Sequence, residues 1–445
     1  MKKKNILLLT LTSVISLVFL CGLLIYAFKL QNLQDEIDER DGIEHNSESI
    51  IGSETSDENS DGGNIIEDNG NTNSQGDDQS DIEVADNDSS GNHSSEDDTV
   101  TDEDTNNTQN PNDGSSNDQE GKESEESLDR PIVLSFAGDV NFDENSKPVA
   151  KYDREKKGIL GGISEDLVEE MKAADVMMLN NEFAYSTRGT KTPNKSYTFR
   201  AHPSRVGILH EMGVDIVSLA NNHALDYGKD ALMDTFATLE EAGIDYVGAG
   251  ENLARAEAPI YYTIGNKKIA YLASSKVIFA MDWYATENSP GMVGTYDPAP
   301  LIKAIEKAAA ESDYVVVFVH WGVERKEYPE KYQRDFAKKY IDAGADIVVG
   351  CHPHVMQGFE FYKGKPIAYS LGNFWFNSAH RETGLFKVYI NPDDSMRVQI
   401  LPAMGKDTYT YLITDEKERK AYFDYMEKLS FDVTIDEDGF ITPKE

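Results

Sequence analysis

The chain has 445 residues and a formal net charge of -38, from 80 Asp and Glu against 42 Lys and Arg. Such acidity excludes nucleic acid as a partner, because a polyphosphate backbone attracts basic surfaces. Cys21 and Cys351 are its two cysteines, which excludes a disulfide-stapled fold.

Residues 6–28, ILLLTLTSVISLVFLCGLLIYAF, are uncharged and follow Lys2, Lys3 and Lys4. The run is long enough to span a bilayer, which takes about 20 apolar residues. It is longer than the apolar core of a cleaved signal, about 7–15 residues. Residues 1–30 are therefore expected to be a transmembrane anchor. The three lysines keep its N-terminus cytoplasmic, so the rest of this single-pass protein of the cell membrane is expected to be extracytoplasmic.

Residues 31–130 hold 32 acidic and 3 basic side chains among Ser, Asn and Gly. High charge with low hydrophobicity cannot bury enough surface to offset ordering entropy. This stretch is expected to be a disordered, extended linker. Most of the chain's acidity belongs to it.

From Pro131 the composition is globular, and one pattern recurs. A short apolar run ends in polar residues. IVLSFA (132–137) leads to Gly138-Asp139, DVMML (175–179) to Asn180-Asn181-Glu182, and DIVSLA (215–220) to Asn221-Asn222-His223. YVVVFV (314–319) leads to His320-Trp321-Gly322, DIVV (346–349) to Gly350-Cys351-His352-Pro353-His354, and PIAYS (366–370) to Leu371-Gly372-Asn373. Runs of this kind predict buried strands. Helices are predicted at Ser164–Ala174, Pro203–Glu211, Lys229–Ala242, Pro300–Glu311 and Glu330–Ala343. Alternating strands and helices make an α/β domain, here 131–400. A C-terminal extension, 401–445, packs on it with an amphipathic helix near Glu416–Leu429 and a short strand.

In α/β folds ligands gather at the carboxyl ends of strands. Here His223, His320, His352 and His354 sit at such ends, together with Asp139, Glu182, Asn222 and Asn373. A mixed nitrogen and oxygen set suits divalent Mn, Fe or Zn, as one ion or two. His352-Pro353-His354 is expected to be extended, which puts both rings on one side. Asn222-His223 is expected to open a helix, with the Asn222 amide oxygen on metal and His223 as general acid. Asp226 either orients His223 or serves as a helix-start charge. Lys195 and Arg200 are candidates to hold an anionic group of the substrate. Trp321 is read as a pocket wall or a core residue, with Glu324 close by. Cys351 is read as a small residue filling space between Gly350 and His352, with a nucleophile or a soft metal ligand as the alternative.

The ordered set Gly138-Asp139, Asn181-Glu182, Ala220-Asn221-Asn222-His223 with Asp226-Tyr227-Gly228, His320-Trp321-Gly322 with Glu324, Gly350 with His352-Pro353-His354, and Ser370-Leu371-Gly372-Asn373-Phe374 resembles the CapA family. These are poly-γ-glutamate capsule biosynthesis proteins related to calcineurin-like metallophosphoesterases. The resemblance covers roughly 132–400. It implies a four-layer α/β/β/α sandwich of metallophosphoesterase type. It also implies that Asp139, Glu182, Asn222, His320, His352 and His354 are metal ligands and that His223 is the acid near the leaving group. The wider phosphoesterase pattern begins Asp-x-His, whereas Asn141 stands at that place here. The implied role is membrane-associated handling of anionic poly-γ-glutamate, by a metal-dependent hydrolase or by a non-catalytic subunit that binds the polymer or the membrane subunits of a capsule synthase. A surface phosphodiesterase or nucleotidase is the third reading.

Overall fold

The computed structural model describes residues 128–377 and 380–444. The expected anchor lies outside them, as does the expected linker except for its last three residues. Among the described residues, no helix is long and apolar enough to cross a membrane.

Two sheets carry the fold. Sheet I has ten strands. One half of it is a parallel set, Ile132–Val140, Val176–Asn181, Ile216–Ser218 and Asp245–Val247, the last at the edge. On the other side, Ile132–Val140 pairs antiparallel with His380–Ile390, which pairs with Met396–Lys406. Sheet II has six strands. Lys267–Ser275, Tyr314–His320, Ile347–Cys351 and Lys365–Leu371 run parallel, and antiparallel strands close both edges.

Strand alternation explains the layers. Leu134, Phe136, Val176, Met178 and Ile216 point from sheet I into a core shared with Ile269, Tyr271, Val316, Phe318, Ile347 and Val349 of sheet II. Their neighbours Met177, Leu179 and Val217 point the other way, onto Leu167, Met171, Leu209, Leu232 and Phe236 of the helices. Val315, Val317, Val319 and Val348 of sheet II likewise meet Leu301, Ile305, Ala337 and Tyr340. The order is helices, sheet, sheet, helices. Because both faces of each parallel set are covered, these strands read as continuous apolar runs.

The predicted helices are present, as Glu165–Lys172, Pro203–Val206 continued by Gly207–Met212, Lys229–Ala242, Ala299–Glu311 and Lys331–Asp342. Three local expectations are corrected. Residues 221–227 form turns, and the helix starts only at Lys229, so Asn222 and His223 do not open it. His352 and His354 have φ of 97° and 57°. The segment is therefore a turn in left-handed geometry rather than an extended stretch. The boundary at 400 falls inside the strand Met396–Lys406. Beyond it, the helix Glu416–Leu429 sends Tyr422, Phe423, Met426 and Leu429 into the core between the sheets.

Candidate metal centre

The carboxyl ends of the two parallel sets meet at one place. Ile132–Val140 delivers Asp139, Val176–Asn181 delivers Glu182 one residue later, and Tyr314–His320 ends on His320. The turn after Ile347–Cys351 brings His352 and His354. Gly138 has to be glycine here, because a Cβ would run into the carbonyl oxygen of Gly372. That oxygen accepts from the Asp139 N–H at 2.9 Å.

Asp139, Glu182 and His320 are fully buried, and His352 is nearly so. Asn180 Nδ2 donates to Asp139 Oδ1 at 2.7 Å. His354 Nδ1 is 3.3 Å from Asp139 Oδ2, and its Nε2 is 3.8 Å from Glu182 Oε1. His354 Nδ1 also lies 2.8 Å from Asn373 Oδ1. His320 Nε2 is 2.8 Å from Asn222 Oδ1. Three sets of donors each converge within 4.8 Å: Asp139, His320 and Cys351; Glu182, His320 and His352; Asp139, Glu182 and His354.

The electrostatics are those of a site built for a cation. Burial and the adjacent Asp139 push the Glu182 carboxyl well above the usual range. Burial works in the same direction on Asp139, but His354 and Asn180 outweigh it and hold this carboxyl low. Burial and the other histidines push His352 down to about 3 and His320 well below its ordinary value. Burial opposes charge on His354 as well, but Glu182 and Asp139 raise it to about 10. Glu182 Oε1 and His352 Nδ1 are buried without a hydrogen-bond partner. Orphaned buried polar atoms of this kind are costly, and a divalent cation would satisfy both. Asp139, Glu182, His320, His352 and His354 thus fit a metal, and Asn222 stands beside them through the contact of its Oδ1 with His320 Nε2.

Beside this centre stands a second group. His223 Nδ1 is 2.6 Å from Asp226 Oδ2, and its Nε2 is 3.8 Å from Glu182 Oε1. Asp226 is fully buried and also accepts from the Phe199 N–H at 2.7 Å and from Lys195 Nζ at 2.5 Å. Of the two readings of Asp226, it is the orienting one that has these contacts. Burial lowers His223, and although Asp226 pulls it back the net direction is down. The Phe199 ring stacks on His223, with centroids 4.3 Å apart.

The remaining expected site residues are placed differently. Trp321 is fully buried, donates from Nε1 to Tyr369 O at 2.9 Å and stacks on Tyr340. It is a core residue and walls no pocket. The Lys195 side chain is only 8% exposed, turned to Asp226 and His223 rather than to solvent. The Arg200 guanidinium lies 4.0 Å from the centroid of the Tyr227 ring and donates to Arg188 O. Glu324 is exposed; burial lowers Lys195 on balance, against the pull of Asp226, Glu182 and Glu324. Three contributors escaped the sequence reading. Asn180 sat in a quoted motif without a role, Phe199 carried no pattern, and Cys351 was read as filler although its Sγ lies 3.2 Å from His320 Nδ1.

The family model of the bacterial capsule synthesis protein PGA_cap matches residues 133–378. The capsule biosynthesis protein CapA of Bacillus anthracis is 36% identical over 216 residues, 47% of this chain and 52% of that one. The chain therefore spans about half the length of that relative. The PGA biosynthesis protein CapA of Bacillus subtilis is 32% identical over 280 residues, 62% of this chain and 72% of that one. Among solved structures, the NAD nucleotidase of Haemophilus influenzae overlaps loosely, at 11% identity and a TM-score of 0.38, over 68% of this chain and 63% of that one. The match to the family model takes in all of the convergent donors named above, and the chain belongs to the bacterial capsule synthesis protein PGA_cap family.

Proposed function

We propose that the chain is a metal-dependent hydrolase acting on poly-γ-glutamate during capsule synthesis or export, held at the cell membrane by residues 6–28 with its working domain outside. The observation that carries this reading is the pair of buried, partnerless donors, Glu182 Oε1 and His352 Nδ1, beside a histidine fixed by a carboxylate. One or two divalent ions, Mn, Fe or Zn, would polarise the scissile group and acidify water there. The chain's own contribution is positional. Asp226 holds His223 through Nδ1, so the ring exchanges protons at Nε2, the edge that faces Glu182. As water adds across the scissile bond, Nε2 takes the proton that the water gives up and passes it to the departing group.

The test uses the full chain, stripped of metal and then reloaded. Reloading is expected to raise the melting midpoint, since a cation at 100 times its Kd adds about 2.7 kcal/mol. Release of γ-glutamyl fragments is expected to fall at least about a hundredfold with chelator and in His223→Ala, within the range of general acid catalysis. Undiminished hydrolysis by stripped protein would overturn the reading.

Asn141 favours a second reading. Its Oδ1 accepts from the Asp143 N–H at 2.8 Å and is committed to the turn. A polymer-binding subunit of a capsule synthase would tolerate such a site. On that reading, cells with folded His223→Ala protein still make capsule.

A further inference from the structure

The helix Lys147–Glu155 flanks the metal centre and plays no part in the chemistry above. Ser146 caps it, and Pro148 and Val149 are buried beneath it. That orientation leaves Lys147 and Arg154 exposed and Lys151 half-buried. The three cations line a cavity of about 490 Å³ with Asn377, Asp407 and Thr408. Among the described residues neither Lys147 nor Lys151 makes an ion pair, whereas Arg188, Lys331 and Lys363 elsewhere on the surface each hold a carboxylate. Lys151 Nζ lies instead 4.7 Å from the centroid of the Tyr409 ring.

The cavity adjoins a chain segment that reaches the site. Phe376 precedes Asn377, and its ring centroid is 5.0 Å from that of His354. Phe376 also lines a small cleft with Lys406, Thr408 and Tyr409. A chain leaving the metal centre past Phe376 therefore meets a row of cations on an otherwise acidic protein. The spacing fits a regular polyanion. Lys147 and Lys151 are one helical turn apart, about 6 Å along the axis. A γ-linked glutamate repeat has five backbone bonds and spans about 6 Å when extended, with one carboxylate per repeat; five being odd, a turn between repeats brings successive carboxylates to the same side.

We propose that Lys147, Lys151 and Arg154 form a distal subsite that holds successive carboxylates of a γ-linked glutamate polymer whose reacting segment lies at the metal centre. This rests on the polymer being the substrate, as set out under Proposed function. Asp407 also lines the cavity.

The experiment measures binding of labelled poly-γ-glutamate of about 50 residues, and of tri-γ-glutamate, to the metal-loaded full chain. The variants are the triple Lys147→Gln, Lys151→Gln, Arg154→Gln and the single Lys151→Gln. The triple variant is expected to bind the long polymer at least about tenfold more weakly with a flatter salt dependence, the single variant to show a partial loss, and both to bind the trimer within about twofold of wild type. Equal loss for trimer and polymer, or none for either, overturns the subsite and leaves the proposed function standing. Wild type that binds neither length overturns both. A triple variant that loses duplex DNA or anionic vesicles while keeping the polymer overturns the subsite in favour of that other partner.

Discussion

Cys351 shows how much one side chain can do without touching the reaction. It is cross-strand neighbour to His320 in the parallel pair, and its Sγ sits 3.2 Å from His320 Nδ1. The opposite ring nitrogen, Nε2, is then left to face Asn222. The thiol is fully buried, and burial together with Asp139 and Glu182 pushes it well above its usual range. It stays protonated and serves as a hydrogen-bonding prop for the ring. Groups that orient a metal-binding histidine typically influence affinity by about 10–100-fold. Cys351→Ala is therefore expected to weaken metal binding at least about tenfold, measured by titration of stripped protein, with native circular dichroism. Unchanged affinity would mean that Asn180, 3.4 Å from the same nitrogen, fixes the ring alone. The six metal-type side chains stood out as candidates because each is chemistry-bearing and lies at or just past the end of an apolar run, and the structure brings Asp139, Glu182, His320, His352 and His354 together. The roles of Cys351 and Trp321 were not legible in this way. Whether a side chain at a strand end faces the site or the covering helix depends on strand pairing and on what packs above, and neither is local.

The strands that position the site were legible for a related reason. Parallel strands covered on both faces are apolar along their whole length, and 132–137, 314–319 and 346–349 all stand out. The antiparallel pair His380–Ile390 and Met396–Lys406 escaped notice because outward polar residues interrupt it. So did the left-handed turn at His352–His354, since only glycine announces positive φ in a sequence. The helix Lys331–Asp342 was visible, but its attachment was not. Glu360, on the strand Met356–Tyr362, accepts from Arg334 Nε and Nη2, each at 2.9 Å, and from the Tyr369 hydroxyl at 2.7 Å. Lys338 Nζ adds a contact at 3.0 Å. Burial works to raise this carboxyl, but Arg334, Tyr369 and Lys338 outweigh it and hold it below its ordinary value. A carboxyl depressed on folding stabilises the fold fully above its unfolded pKa, and that contribution fades as pH falls through the folded value. Glu360→Gln is thus expected to lower the melting midpoint at pH 7. Its deficit against wild type should shrink steadily below about pH 4.5. A deficit that stays constant down to pH 3 would show that packing, not charge, fastens the helix.

At the scale of the whole molecule, the question is what closes the sandwich. The sequence placed a working domain before residue 400 and an extension after it, because the chemistry-bearing motifs stop near Phe374. Packing ignores that division. Met396–Lys406 pairs along its whole length with His380–Ile390. The strands Val433–Ile435 and Phe440–Pro443 extend the same sheet at its far edge. Between them, the helix Glu416–Leu429 inserts Tyr422, Phe423, Met426 and Leu429 into the layer shared with Phe359, Phe386 and Val398. The Tyr422 hydroxyl donates to Thr383 O at 2.8 Å. Full burial of a large apolar side chain is worth about 1.5–3 kcal/mol, so these four contribute roughly 6–12 kcal/mol. A whole domain is typically stable by about 5–15 kcal/mol. A chain ending at Ile400 is therefore expected not to fold, although it keeps Asp139, Glu182, Asn222, His320, His352 and His354. Circular dichroism and a thermal melt of that truncation check this. Its failure to bind metal would then follow from lost packing, since every candidate ligand is still present. A cooperative melt with metal bound would show that the two sheets hold together without the C-terminal helix, and that the extension serves a partner instead of the core.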